Sequence, residues 1–291
     1  MNGLSEKKRN SVRGACRAEV LRLTKWPTLW ILLASWMVLN FVFLYVFNYL
    51  TYKSGGATDS PSTMPQEALL QQMLPGAVPE VFTQGMAMFG GALMLIAGAL
   101  ATGSGYGWGT WKTVFTAGPS RTAAFAGTVV ALTVIVVALV LAVCVADLGV
   151  SAAIAVAESK QIVLPPVAAL AESVAAGALI LGMWTMAGVL VGVLTRGPAL
   201  SVGLGLVWVL VVENLLRGVA VVFSPLSFVT DYLPGTAAGS LAGSLRGVSE
   251  GETTPGVLDV LGESTAVVLL CVYLVVFGAV SLWLVRTRDI H

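Results

Sequence analysis

The chain has 291 residues, of which 57% are hydrophobic and only 11% charged, with a formal net charge of +1 and a mean hydropathy of +0.88. That balance excludes a soluble domain of this size and gives no basic surface for nucleic acid. Its long continuous apolar runs also exclude a membrane barrel, whose strands alternate every second residue.

In chain order, residues 1–27 read as a basic cytoplasmic segment. On a helical wheel Val12, Ala15, Cys16, Val20, Leu23 and Trp26 share one face, Arg13, Arg17, Arg22 and Lys25 cover the other, and Glu19 lies at the apolar edge. A basic amphipathic helix with an aromatic anchor is a membrane-surface element. A single six-helix domain over 28–285 follows, with predicted spans at 28–50, 81–102, 123–146, 174–194, 199–222 and 266–285, and a cytoplasmic tail at 286–291. Each span reaches the roughly 20 apolar residues needed to cross a ~30 Å hydrocarbon core. Five of the six contain no Asp, Glu, Lys or Arg. Because lipid satisfies no backbone polar group, the expected fold class is all-α, a polytopic integral membrane protein. The first apolar run exceeds the roughly 7–15 residues of a secretory signal core and is expected to stay as an uncleaved span.

Charge sets the expected orientation. Lys7, Lys8, Arg9, Arg13, Arg17, Arg22 and Lys25 precede the first span, Lys112 and Arg121 follow the second, Arg196 follows the fourth, and Arg286 and Arg288 end the chain. The positive-inside rule puts this face, and with it both termini, in the cytoplasm of a cell membrane. Asp59, Glu67, Glu80, Asp147, Glu158, Asp231, Glu250, Glu252, Asp259 and Glu263 fall on the opposite face. Trp26, Trp30, Trp36 and Trp283 read as interfacial or lipid-facing anchors, and Gly188 with Gly192 as a small-residue seam for helix packing inside the subunit. Cys144 and Cys271 read as packing residues inside spans, not as a disulfide.

Catalytic groups are scarce. The single histidine is His291, so neither an H-E-x-x-H metal site nor a Ser-His pair has its histidine in a span. The segment Gly103 to Thr113 resembles a phosphate loop only in its closing Lys112-Thr113, and Trp111 stands where that loop needs glycine. No catalytic residue, metal site or cofactor is expected in the chain itself. Within the spans, Glu213 and Arg217 are four residues apart on one predicted helix face, where a lone charge costs ~2.5–3.5 kcal/mol. They read either as a mutually neutralising pair or as part of a gate, a proton site or a cation site.

The segment Gly105 to Arg121, GYGWGTWKTVFTAGPSR, resembles the cytoplasmic segment between helices two and three of the six-helix (type V) permease subunits of ABC exporters. Tyr106, Gly109, Thr110, Gly118, Pro119, Ser120 and Arg121 match, and Gly105 stands where the family has glutamate. Weaker likenesses lie at Arg17 to Leu23 running into Pro27, at Leu194-Thr195-Arg196, at Glu213 to Leu216 and at Tyr232-Leu233-Pro234. The resemblance implies an N-terminal amphipathic elbow helix, a coupling helix between helices two and three, and short re-entrant helices before helix six. It further implies a non-enzymatic permease that pairs with a second permease subunit, as a homodimer or heterodimer, in the lipid bilayer. A separate ATP-binding cassette ATPase subunit would carry Mg-ATP and drive export of an amphipathic or hydrophobic compound, a peptide or drug-like molecule.

By that resemblance the ATPase-docking residues are Tyr106, Trp108, Thr110, Trp111, Lys112, Phe115 and Arg121, and helices two and five line the path, on which Glu213 and Arg217 are gate candidates through their own position in helix five. The alternative is a self-sufficient channel or intramembrane enzyme, which calls for polar residues converging inside the membrane.

Overall fold

The computed structural model describes residues 14, 16–54, 65–107, 109, 120–246 and 256–287. Among these residues there is no strand, and six helices are long and apolar enough to cross a membrane.

A short helix α1 (residues 16–24) precedes the first of them. Trp26 is extended and Pro27 occupies the first helical turn, so the chain breaks there and restarts as a second helix. The six long helices are α2 (Pro27–Lys53), α4 (Met86–Gly107), α5 (Arg121–Ala157), α6 (Val167–Thr195), α7 (Pro198–Ala220) and α9 (Glu263–Thr287). Among the shorter helices between them are α3 (Gln66–Gln72) after α2 and α8 (Pro234–Ser244) after α7.

α4 and α6 form the centre. Three glycines set their separation: a Cβ on Gly98 would strike the Thr185 carbonyl, one on Gly188 the Leu95 carbonyl, and one on Gly192 the Thr102 hydroxyl and the Ala99 carbonyl. Contacts advance in step from Gly91 with Trp184, through Leu95 with Gly188, to Ala99 with Gly192, so the two helices run parallel. Without side chains in the way the backbones meet, which is how helices associate where water supplies no driving force. The seam expected at Gly188 and Gly192 is therefore internal to the chain. α7 also packs on α4, where Gly205 lies against Leu95 and Gly103 against Ser201. The result is that α4 is the most enclosed span, whereas α7 keeps Leu200, Leu204, Val207, Val211 and Leu215 exposed.

Several helix ends differ from the expected spans. α4 starts five residues later than expected, because Pro75 and Pro79 hold the preceding chain in short turns. It also runs on through Gly103, Gly105 and Gly107, since Gly103 and Gly107 fit against Ser201 and Pro198 where side chains would not. α5 continues eleven residues past Ala146, carrying Asp147 into the helix and out of the outer loop. Trp36 is not a lipid-facing anchor: it is 1% exposed and its ring lies over Gly85 and Gly90, which leave room for it.

Three of the long helices contain a π turn, at Val42–Val46 in α2, Met86–Gly90 in α4 and Val207–Val212 in α7. Such wide turns gather at sites where a helix must re-aim its side chains.

Candidate functional site

At one end of the bundle α1 is pinned to both α4 and α5. Leu23 is fully buried, and Arg22 donates from Nη2 to the Ala101 carbonyl of α4 at 3.0 Å while pairing with Glu19 at 2.8 Å. Glu19 in turn accepts from the Thr128 hydroxyl of α5 at 3.3 Å. Burial pushes the Glu19 carboxyl above its ordinary range, against the opposing pull of the Arg22 charge and of both hydrogen bonds. Glu19, which the wheel leaves at the apolar edge, is thus the residue that joins α1 to α5.

The same end holds the two anchor points of the 105–121 segment. α4 ends at Gly107 beside Pro198, the first residue of α7, with Tyr106 half-buried one residue earlier. α5 begins at Arg121, capped by Ser120, whose hydroxyl accepts from the Ala123 N–H at 3.2 Å. Arg196, in the turn before α7, takes a left-handed conformation that ends α6. Trp108, Thr110, Trp111, Lys112 and Phe115 lie outside the described residues.

At the far end Glu213 is 1% exposed. The preceding π turn sets Trp208 and Glu213 five residues apart on a common face, and Trp208 Nε1 donates to Glu213 Oε1 at 3.0 Å. The Gly235 N–H, in the first turn of α8, is a second donor to the carboxylate. A helix N-terminus offers unpaired N–H groups and a partial positive charge, so it suits a buried carboxylate. A Cβ at 235 would lie 3.0 Å from Glu213 Cδ and nearer still to Oε2, so the carboxylate keeps this position only beside glycine.

Glu213 and Arg217 do not form the contact ion pair that their spacing suggests. The carboxylate turns inward to Trp208 and α8, and Arg217 donates from Nη2 to Asn214 Oδ1 at 3.0 Å. Both still border one cavity of about 10 Å³, the size of a single water molecule, which Ala87, Met88, Trp184, Gly235 and Gly256 complete. Four segments close over it. Trp184 Nε1 holds α6 to the Ala87 carbonyl of α4 at 3.2 Å, and Leu258 and Leu261 hydrogen-bond back to Gly239 and Ser240 of α8. Tyr273 of α9 donates to the Tyr232 carbonyl at 2.7 Å. Glu213 is therefore a latch between α7 and α8 over a nearly dry seam.

A third polar cluster escapes sequence reasoning. Asp147 in α5 is 2% exposed and accepts from Asn40 Nδ2 of α2 at 2.8 Å. Farther along the same seam, Tyr49 and Tyr52 donate to Glu158 at 2.8 and 3.1 Å, and Lys53 pairs with it at 2.7 Å. The Lys53 ammonium also lies 5.4 Å from both tyrosine ring centroids. Hydrogen bonds from Lys53, then from Tyr49, hold the Glu158 carboxyl below its ordinary range. The available signal was Asn40, one of two amides, with Asn48, in a predominantly apolar span.

Compared with known proteins, the chain matches no protein-family model and no curated sequence.

Proposed function

We propose that the chain is the membrane-spanning permease subunit of an ABC exporter, a non-catalytic partner of a separate ATP-binding cassette ATPase that binds Mg-ATP. The observation that carries this reading is the Gly105–Arg121 segment, whose motif resembles the coupling segment of six-helix permeases. Its two anchors, Gly107 and Arg121, flank the end of the bundle to which α1 is pinned. In this reading α1 is the elbow helix, the 108–120 segment is the ATPase dock, and α8 is a re-entrant helix over the outer end of the path.

A second permease subunit, of the same or another kind, faces the open side of α7, and the apolar residues there suit an amphipathic or hydrophobic cargo. Closure of the ATPase pair moves the dock. Because α4 meets α6 backbone to backbone and packs closely on α7 through Gly103, Gly107 and Gly205, that displacement reaches the Glu213 latch through packed helices. Glu213 and Arg217 then act at the gate, with release of the Gly235 N–H freeing α8 from α7.

The test is co-purification. A tagged chain from its native membrane should bring down an ATP-binding cassette subunit. Trp108→Ala with Trp111→Ala should weaken that capture and uncouple ATP hydrolysis from cargo movement, with all spans still inserted. Unchanged capture and coupling would refute the docking assignment. ATP hydrolysis by the chain alone would refute the non-catalytic role. The buried Asp147 cluster favours one other reading, a self-sufficient channel, and conduction by the chain alone in liposomes would establish it instead.

A further inference from the structure

The polar seam between α2 and α5 has no part in the transport reading and does not depend on it. Asp147 Oδ1 accepts one hydrogen bond, from Asn40 Nδ2 at 2.8 Å. Oδ2 is sealed from solvent and has no hydrogen-bond partner. Beside it the Tyr45 hydroxyl, 2% exposed, donates to the Asp147 backbone carbonyl at 3.3 Å and shares a hydrogen bond with Ser151 Oγ at 3.1 Å. Leu70 and Met73 pack on the Tyr45 side from α3, together with Val150 of α5.

The charge balance at this point is one-sided. Asn40 and Tyr45 face Asp147 from α2, and Cys144 and Ser151 flank it on α5. Of these, only Tyr45 and Cys144 are ionisable, and both ionise to anions. Among the described residues no ion pair reaches the carboxylate, and its one hydrogen-bond donor is the Asn40 amide. An anion enclosed by apolar helices with one donor and no counter-charge is the arrangement that buried groups escape by neutralisation. The orphaned Oδ2 marks where the neutralising species sits.

We propose that the α2–α5 seam is a proton-binding site, in which Asp147 carries a proton on Oδ2 whenever the two helices are packed. The bookkeeping is a simple association: the Oδ2 lone pair takes one proton from water, and the side chain becomes a neutral acid that the Asn40 amide still holds through Oδ1. Loss of the proton leaves an anion that must reach water, and the seam has to part for that to happen. Protons are therefore bound by the packed state and released by the open one, so packing weakens as pH rises.

The full chain in lipid nanodiscs tests this by two measurements. Infrared difference spectra across a pH titration should contain a protonated-carboxyl C=O band that is absent from Asp147→Asn and retained in Glu213→Gln. Hydrogen-exchange protection of residues 36–46, corrected for intrinsic rates, should fall about tenfold per pH unit above the ordinary aspartate range for as long as the packed state keeps its proton, the slope of one linked proton. In Asp147→Asn, whose amide mimics the neutral acid, yield should match the native chain and protection should not depend on pH. A band that persists in Asp147→Asn, or an Asp147→Asn chain that fails to fold, overturns the proposal. So does protection that follows sodium concentration at fixed pH, which would make the site a metal-cation site. None of these readouts requires an ATPase or a cargo, so the proposal and the exporter reading fail separately.

Discussion

Replacing Gly188 with alanine tests the construction of the core directly. An added Cβ would strike the Leu95 carbonyl oxygen and lie 2.8 Å from Leu95 C and 2.9 Å from Ala99 N. All three atoms are backbone of α4, so no side chain can rotate away and the helices must separate. Gly182, on the same helix, is the internal control, since a Cβ there meets only Leu274 Cδ1 at 3.6 Å, an ordinary contact. Both substitutions gain the same helix propensity, about 0.8–1 kcal/mol, so the difference between them isolates the clash. Overpacking of this kind costs about 1–3 kcal/mol. At a tenfold change per about 1.4 kcal/mol, that is roughly a 5- to 140-fold difference in the unfolding equilibrium constant. Equilibrium unfolding of the purified chains in mixed micelles should therefore rank Gly182→Ala at or above the native protein and Gly188→Ala below Gly182→Ala by that margin. Equal stability of the two variants would refute the close parallel packing of α4 on α6.

The Glu213 latch predicts that Gly235→Ala and Glu213→Ala are not additive: a double-mutant cycle on stability should give a coupling of about 0.5–3 kcal/mol, and zero coupling would contradict the contact. The Glu158 clasp has a definite pH sign. Its carboxyl lies below the ordinary glutamate value of 4.5, so its contribution is complete above that value and is lost as pH falls through the lower one. Melting curves of the native chain and Glu158→Gln should differ at neutral pH and converge in acid; a gap that stays constant with pH would exclude the ionised clasp. For orientation, single cysteines at the exposed positions Glu67 and Gln161 should label from outside intact cells and one at Arg17 should not. The reverse pattern would invert the topology.

The six spans were legible because an apolar run of sufficient length has few alternatives in a chain of this composition. Their ends were not legible, and Asp147 shows why. A hydropathy reading stops at the first charge, whereas the chain buries this one against Asn40, 107 positions earlier, a partner that no local pattern indicates. Glu213 was legible as a costly charge, but its partners were not. A regular helix places Arg217 beside it, and only the wide turn at Val207–Val212 redirects it to Trp208 and to the start of α8. Gly103 and Gly107 lie beyond the expected end of the second span at 102, yet they let α4 run on close to α7. The wheel leaves Glu19 at the apolar edge, but it holds no record of the neighbour that receives it there, Thr128.

The wide turns in α2, α4 and α7 give the bundle joints where uninterrupted helices would have none. A π turn holds one residue more than the helix around it needs, and in an α-helix each residue advances the side chains by about 100°. If that surplus travels along the rod, every residue it passes turns to a new bearing while the backbone ladder merely exchanges partners. In α7 the surplus lies immediately before Glu213. Moving it past Glu213 toward Val222 would swing the carboxylate out of the α8 corner without lengthening, melting or tilting the helix. A migrating extra residue would in this way act as a crank, and deleting one position within 207–212 would remove it.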